Sequence, residues 1–155
     1  MATNPEFLSD TLIKSVFRVP LYQRGYSWRE NHVLELLNDI ALCDVGQEPI
    51  HHFVNSFIGK KVEEIETNQA HRPIYELTDG QQRMTTLYLI LVRLLKRLED
   101  MQAEEDDIAS ISSRLWVKPI NQAKISRLTF AEATRQNFWN ELICDLDPDA
   151  TFSSE

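Results

Sequence analysis

The sequence is poor in the residues that hold small proteins together by disulfides or metals. Its 155 residues include two cysteines, Cys43 and Cys144, and four histidines. The cysteines lie far apart within apolar patterns typical of helices, which indicates buried thiols rather than a disulfide. The histidines have no ligand spacing with one another or with the cysteines, so a zinc site is not expected. A chain of this length can bury an ordinary core without such links.

Long hydrophobic runs are also missing. Residues 1–10 have neither the basic start nor the apolar stretch of a secretion signal, and no apolar segment approaches the length that spans a membrane. We therefore expect a cytoplasmic protein with no membrane partner. The chain also lacks internal repeats and low-complexity linkers. This predicts one domain over residues 1–145, followed at residues 146–155 by a polar acidic tail or by the boundary to a C-terminal region.

The negative charge is unevenly distributed. The formal net charge is −8, but residues 99–107 hold six acids and residues 141–155 hold five, with no Lys or Arg in either stretch. Both stretches are most simply solvated surface. The rest of the chain is slightly basic, so the overall charge does not exclude a partner that carries phosphate.

Hydrophobic periodicity predicts an α+β fold. Apolar residues recur at helical spacing near residues 5–14, 29–45, 84–101, 108–117 and 132–146, and strand-like alternation occurs at residues 15–19, 51–66, 74–78 and 124–130. The polar residues 67–72 indicate a hairpin, and Gly59 indicates a bulge or a close approach of two backbones. We expect a small mixed sheet flanked by helices.

A glycine turn joins the strand at residues 74–78 to the longest helical pattern. Asp79 is a favourable residue type for a helix N-cap, and Gly80 allows the backbone to approach a ligand closely. The first amide N–H groups of a helix have no partner within it, and they attract phosphate. Arg83 opposes the helix dipole in this first turn, and a bound anion would remove that conflict.

A purely structural interpretation of the turn remains open, and on spacing alone it is the better supported one. In that interpretation Asp79 caps a core helix and Gly80 relieves the turn. The long side chains of Gln81, Gln82 and Arg83 then simply point into water.

A second segment, residues 11–29, contains no acid and interleaves cations with aromatic rings. Such a mixture suits phosphate contacts combined with stacking on bases. The residues that we assign to a nucleic-acid surface on this basis are Arg18, Tyr22, Tyr26, Trp28 and Arg29. The alternative is that the rings belong to the core and the Arg stems lie over them.

Together these stretches resemble a known family. The matching residues are Phe17-Arg18-Val19-Pro20-Leu21-Tyr22-Gln23-Arg24-Gly25-Tyr26-Ser27-Trp28, Leu37-Asn38-Asp39-Ile40, Phe57-Ile58-Gly59 and Asp79-Gly80-Gln81-Gln82-Arg83-Met84-Thr85-Thr86-Leu87. Their order and spacing are similar to those of the N-terminal domain of GmrSD-type, modification-dependent restriction endonucleases. That family is similar in turn to the ParB and sulfiredoxin superfamily, whose members bind nucleotide phosphates at a strand, turn and helix carrying Gly and Arg.

The resemblance implies a ParB/sulfiredoxin-like fold and an NTP-binding domain that senses modified DNA and works with a C-terminal nuclease region or a partner subunit. The residues that it assigns to the nucleotide are Gln23, Arg24, Gly80, Gln81, Gln82, Arg83 and Thr85. Hydrolysis occurs in some relatives, so Mg²⁺-dependent NTPase activity is left open. No nuclease motif is visible, and DNA cleavage is not expected from this chain alone.

If the nucleotide is hydrolysed, the candidate catalytic residues are Asp79, Gln81, Gln82 and Arg83. Asp79 would bind Mg²⁺, directly or through water, or would only cap the helix. Gln81 or Gln82 would orient the attacking water, and Arg83 would hold phosphate oxygens. The alternative function is a nucleic-acid-binding module that stacks on a modified base and does no chemistry.

Overall fold

The structure, a computed structural model, describes residues 8–42 and 57–146. Within these ranges the helices are α1 (Leu8–Lys14), α2 (Glu30–Leu42), α3 (Gln81–Asp100), α4 (Glu105–Leu115) and α5 (Ala133–Ile143), and a 3-10 turn, Cys144–Leu146, follows α5. The strands are β1 (Val16–Val19), β2 (Ile58–Glu66), β3 (His71–Asp79), β4 (Trp116–Val117), β5 (Ile125–Ser126) and β6 (Leu128–Phe130). The predicted α+β class is confirmed.

Four strands form one mixed sheet in the order β2-β3-β1-β6. β2 runs antiparallel to β3, as the predicted hairpin requires, whereas β1 is parallel to both β3 and β6. Strands β4 and β5 form a separate antiparallel pair. The mixed sheet flanked by helices is therefore confirmed, and its likeness to ParB and sulfiredoxin remains a prediction.

The main core lies on one face of the sheet. Phe17 stands opposite Tyr75 on one neighbouring strand and Leu128 on the other, so the three side chains share that face. The helices that cover it are α1, α3, α4 and α5, which contribute Leu12, Met84, Tyr88, Leu95, Leu115 and Trp139. On the opposite face, Val16 and Ile74 pack against Val117 of the small β4–β5 pair.

Helix α3 is the central helix of this core. Met84 and Tyr88 are fully buried and Leu95 nearly so, in agreement with the predicted apolar stripe. The stripe is narrower than predicted, because Leu94 and Met101 are exposed. Met101 is the residue that ends the helix, where the chain turns toward α4.

The predicted strand at residues 124–130 is wrong as a single element. Arg127 divides it into β5 and β6, which belong to different sheets. Its buried guanidinium donates to the carbonyl oxygens of Ser113 and Trp116 at 2.9 Å and to that of Ser15 at 3.0 Å. These acceptors lie at the C-terminal ends of α4 and α1, where carbonyl groups lack helical partners. Burial lowers the pKa of Arg127 to about 10.

Gly59 confirms the expected close approach of two backbones. The pairing of β2 with β3 shifts register between Ile58 and Gly59. A Cβ atom on Gly59 would lie 3.2 Å from the Cβ of Tyr75, closer than side chains normally pack. Glycine is therefore the residue that fits this position.

The prediction of a buried thiol is wrong for Cys144. This residue is exposed in the 3-10 turn, and its Sγ donates to the carbonyl oxygen of Glu141 at 3.2 Å. Cys43, the first part of the predicted strand (residues 51–56) and residues 147–155 of the predicted tail lie outside the described residues. None of the helices in the described ranges combines the length and the apolar character needed to cross a membrane.

Candidate functional site

The two segments that stand out in the sequence meet at one cleft. β1 and β3 are parallel neighbours, so their C-terminal ends lie at the same end of the sheet. The loop after β1, residues 20–29, therefore lies beside the turn into α3. A cleft of about 220 Å³ between them is lined by Gln23, Arg24, Trp28, Asp79, Gly80, Gln81, Gln82 and Arg83.

The start of α3 leaves N–H groups available at this cleft. Gly80 is the N-cap, with φ 80° and ψ 8°, a left-handed conformation that favours glycine. The predicted N-cap, Asp79, is thus wrong by one residue, and its Oδ1 accepts the N–H of Gly80 at 2.7 Å. The first main-chain hydrogen bond of the helix runs from Met84 to the carbonyl oxygen of Gly80 at 2.9 Å. The three N–H groups between them have no acceptor among the described residues.

Two glutamine side chains of the first turn hold the loop in place. Gln81 and Gln82 are only 7% and 8% exposed, so the interpretation that they point into water is wrong. Gln81 donates to the carbonyl oxygen of Arg24 at 3.1 Å, and Gln82 donates to that of Gly25 at 3.0 Å. The side-chain oxygen of Gln82 also accepts the N–H of Ser27 at 2.7 Å. The first turn and the loop are therefore one unit.

Further contacts fix the same loop from other elements. Gln23 donates to the carbonyl oxygen of Thr78 at 3.0 Å and accepts, at its own carbonyl, a hydrogen bond of 3.0 Å from Arg135 on α5. The hydroxyl of Tyr26 lies 2.9 Å from that of Thr86. Anchors from β3, α3 and α5 leave little freedom for the loop that lines the cleft.

The cleft carries two cations and one carboxylate. Arg24 is exposed, and the guanidinium of Arg83 lies 5.9 Å from the centre of the Trp28 ring. Among the described residues neither guanidinium has a hydrogen-bond or ion-pair partner, and Asp79 is the one acidic residue in the lining. Trp28 also stacks on His32 of α2 at 5.9 Å. The cleft therefore has the charge pattern of an anion site.

Comparison with known protein families finds a match over most of the chain. The family described as "GmrSD restriction endonuclease, N-terminal domain" matches residues 6–152. The chain belongs to this family. No curated protein matches the chain. The family match covers nearly the whole chain and confirms the resemblance inferred from the motifs, which places the protein in the context of restriction systems.

In this GmrSD N-terminal domain, the residues assigned to a nucleotide come together with one exception. Gln23, Arg24, Gly80, Gln81, Gln82 and Arg83 all line the cleft. Thr85 is half-buried one residue beyond Met84 and does not line it.

The residues assigned to nucleic acid lie on more than one element: Arg18 is on β1, and Tyr22, Tyr26, Trp28 and Arg29 are in the loop between β1 and α2. Arg18 lies on β1 and donates to both carboxylate oxygens of Glu63 on β2, at 3.0 and 3.3 Å. Tyr22 is 67% exposed, Trp28 is in the lining of the cleft, and Arg29 is exposed just before α2. The alternative that the aromatic rings belong to the core holds for Phe17, which is buried. It does not hold for the other rings in this segment, which are partly or largely exposed.

The lining of the cleft offers a metal ion one carboxylate, that of Asp79, so phosphate oxygens would have to supply the other ligands. Mg²⁺ usually takes one or two carboxylates, with phosphates and waters completing its shell. The cleft of the GmrSD N-terminal domain supplies the carboxylate of Asp79, and no cluster of three or more His, Cys, Asp or Glu side chains suited to a metal exists in the described part of the chain. Such a site suits Mg²⁺ that arrives with phosphate.

Sequence reasoning missed the support that comes from α5 and α2. Arg135 reaches Gln23 across 112 residues of sequence, and nothing in the local pattern around Arg135 points to that contact. His32 belongs to α2, where the helical pattern indicated only packing. The stacking of His32 on Trp28 depends on how α2 leaves the loop, which is a tertiary feature.

Proposed function

We propose that this GmrSD N-terminal domain binds a nucleoside triphosphate in the cleft between residues 20–29 and the start of α3. Two guanidinium groups at this cleft, those of Arg24 and Arg83, carry the proposal. Within residues 8–42 and 57–146 they have no acidic partner, and the first-turn N–H groups of α3 beside them have no acceptor. Oriented N–H groups and cations at a helix start favour an anion of high charge. A triphosphate is such an anion.

The two arginines have distinct parts in this proposal. The Arg83 guanidinium lies over the Trp28 ring, 5.9 Å from its centre, at the distance of a cation–π interaction. Its N–H groups are the ones that we assign to phosphate oxygens. Arg24 approaches from the loop as a second clamp. Gly80 has no side chain, so phosphate can approach the turn closely.

The geometry distinguishes the two glutamines. Gln82 uses both its amide nitrogen and its oxygen to bind the loop, so we assign it a positioning role. Among the described residues, Gln81 uses only its side-chain nitrogen. Its side-chain oxygen is therefore the better candidate for orienting a water molecule in hydrolysis. Asp79 would hold the nucleotide's Mg²⁺, which supplies charge neutralisation for the phosphates.

The family supplies the setting for this chemistry. Its description is that of the N-terminal domain of a restriction endonuclease. We therefore propose that occupancy of the cleft regulates DNA cleavage by a C-terminal nuclease region or a partner subunit, and that modified DNA is the signal.

Thermal unfolding with each of the four NTPs, with and without Mg²⁺, tests the proposal. At a ligand concentration of about 100 times Kd, binding adds about 2.7 kcal/mol and raises Tm by about 5 °C or more. Arg83→Ala should remove the shift. Arg93→Ala, at an exposed position of the same helix, should keep it. No shift with any NTP, or a shift that survives in Arg83→Ala or is reproduced by sulfate alone, contradicts the proposal.

The exposure of Tyr22 favours a second candidate function, binding of a base from nucleic acid. Tyr22 is 67% exposed and has no hydrogen bond among the described residues, whereas Tyr26 is tied to Thr86 and Trp28 contacts Arg83. Stacking on an aromatic side chain contributes about 1–3 kcal/mol per base. If this is the function, affinity for single-stranded or modified DNA should fall in Tyr22→Ala and at high salt, and NTP should have no effect on it.

A further inference from the structure

β2 is a long strand at the edge of the sheet. It spans Ile58–Glu66, and among the described strands it pairs with β3 alone. Every residue of the strand except Ile65 is exposed. A strand edge with unpaired N–H and C=O groups can pair with another chain unless charge or geometry prevents it.

The charges along β2 are complementary to a second copy of the same strand. Two lysines, Lys60 and Lys61, precede Val62, and two acids, Glu63 and Glu64, follow it. Val62 is the midpoint of the strand. In an antiparallel pair about this midpoint the lysines of each copy face the acids of the other, whereas a parallel pair would oppose like charges. The pattern therefore selects one partner and one orientation.

We propose that the outer edge of β2 is a self-association surface, on which a second copy of this chain pairs antiparallel about Val62. The contact is isologous, because the same surface is used on both copies. This surface contains none of the residues that line the cleft at the start of α3, although Ile58 at the start of β2 pairs with Asp79 of that lining. The proposal does not depend on nucleotide binding.

Within one copy, the charged side chains of β2 form only exposed ion pairs. Lys61 pairs with Glu64 three residues away, and Arg18 pairs with Glu63, but all four side chains are largely or partly exposed. Lys60 has no ion-pair partner in the described part of the chain. Exposed ion pairs are weak, so their exchange for pairs between copies costs little.

The geometry of the strand limits the contact to its central part. At the end of β2 the carbonyl oxygen of Glu66 already accepts the N–H of Ile120 at 2.9 Å. The register of β2 against β3 also shifts between Lys61 and Glu63, which leaves Val62 unpaired. A bulge increases local twist, so the two copies form short ladders on either side of Val62 rather than a continuous sheet. We expect a weak dimer that salt dissociates.

Sedimentation velocity of the whole chain over about 5–500 µM, in low and high salt, tests the proposal. We expect a monomer–dimer equilibrium whose Kd rises roughly tenfold between about 50 and 500 mM NaCl, since exposed charge pairs are screened. The variant K60E/K61E should be monomeric, and so should E63K/E64K. Mixed together, the two should form a heterodimer, because the four charged residues that flank Val62 are then all acidic on one strand and all basic on the other.

Two further variants complete the design. The fourfold exchange K60E/K61E/E63K/E64K reverses the four charges that flank Val62 but keeps their antiparallel complementarity, so it should dimerise like the wild type and also show that such strands fold. The variant R93E/R97E makes a similar charge change on exposed positions of α3 and should leave the dimer unchanged. A wild-type chain that is monomeric throughout the concentration range overturns the proposal, and so does a dimer that persists in K60E/K61E.

Discussion

Ser27 donates its main-chain N–H to the side-chain oxygen of Gln82 at 2.7 Å, across 55 residues of sequence. The other end of the same amide donates to the carbonyl oxygen of Gly25 at 3.0 Å. Through this one buried side chain, the helix start that offers N–H groups to a ligand also determines where the loop with Arg24 lies. The two halves of the proposed nucleotide site therefore cannot move independently.

Replacing Gln82 should cost stability as well as ligand affinity. Gln82→Ala removes two hydrogen bonds to the loop, and we expect the free energy of unfolding to fall by about 2 kcal/mol, since each bond contributes about 1 kcal/mol. Gln82→Glu keeps the acceptor for Ser27 and loses the donor to Gly25, so it should fall between wild type and Gln82→Ala. Urea unfolding measures all three. Gln69→Ala, in an exposed turn, is the control, and an equal loss there would argue against the anchoring role.

Gly80 provides a test of the turn itself. Its φ of 80° is costly for a residue with a Cβ, so Gly80→Ala should lower the free energy of unfolding by about 1–2 kcal/mol. Gly80→Asn should be milder, because asparagine tolerates this conformation better. Gly25 is the matched control: its φ is not in the left-handed region, and a Cβ there would meet no atom within 4 Å. Thermal unfolding compares the two variants. If Gly25→Ala lowers Tm as much as Gly80→Ala does, backbone strain at Gly80 is not the explanation.

The ion pair of Arg18 and Glu63 predicts a difference in acid stability. The hydrogen bond from Arg18, and then its charge, hold the pKa of Glu63 below its usual value of 4.5. The folded state therefore favours the carboxylate, and this stabilisation is fully present above pH 4.5 and is lost as the pH falls through the lower folded pKa. The pair is exposed, so its contribution should not exceed about 1 kcal/mol.

A double-mutant cycle with Arg18→Met and Glu63→Gln measures that contribution. Urea unfolding of dilute protein should give a small coupling free energy at about pH 7 that disappears by about pH 3. A coupling that is unchanged across this range would mean that packing of the two side chains, rather than their charges, is responsible.

The cleft could be predicted from the sequence because its two halves carry local signals. A change of period from two to 3.6 at Gly80 indicates a strand, a turn and a helix, and cations interleaved with rings mark residues 11–29. The two halves come together because β1 pairs in parallel with β3, so the C-terminal ends of both strands lie at one end of the sheet. The roles of Gln81 and Gln82 could not be predicted, because their partners are main-chain groups of a distant loop.

Arg127 shows that the fold, like the site, could be predicted from the sequence only in part. Residues 124–130 alternate like one strand, and nothing local marks Arg127 as a buried residue. Its partners are carbonyl oxygens at the ends of two helices, and one of them, Ser15, lies 112 residues away. The chain leaves one sheet and enters another at the position where those acceptors gather. A contact of this kind is decided by tertiary packing, which overrides the local pattern.

Tyr88 is a buried residue whose hydroxyl lacks a partner in the part of the chain that the structure describes. Its ring is fully buried and makes edge contacts with Phe17 and Trp139, and its hydroxyl has no hydrogen bond within the described residues. A buried hydroxyl without a partner carries its desolvation cost uncompensated. Tyr88→Phe should therefore raise the free energy of unfolding by about 1 kcal/mol. Tyr26→Phe, which loses the bond to Thr86, should lower it by a similar amount in the same urea measurement.

The pH dependence of Tyr88→Phe provides an independent check. Burial raises the pKa of Tyr88 well above its usual value of 10.0. The folded state then keeps a proton that the unfolded chain releases, so the wild type should lose stability as the pH rises above 10, and Tyr88→Phe should lose less. A Tyr88→Phe variant that is destabilised as much as Tyr26→Phe would show that the Tyr88 hydroxyl has a partner. Buried water is the simplest such partner, because it can bridge groups that no side chain reaches.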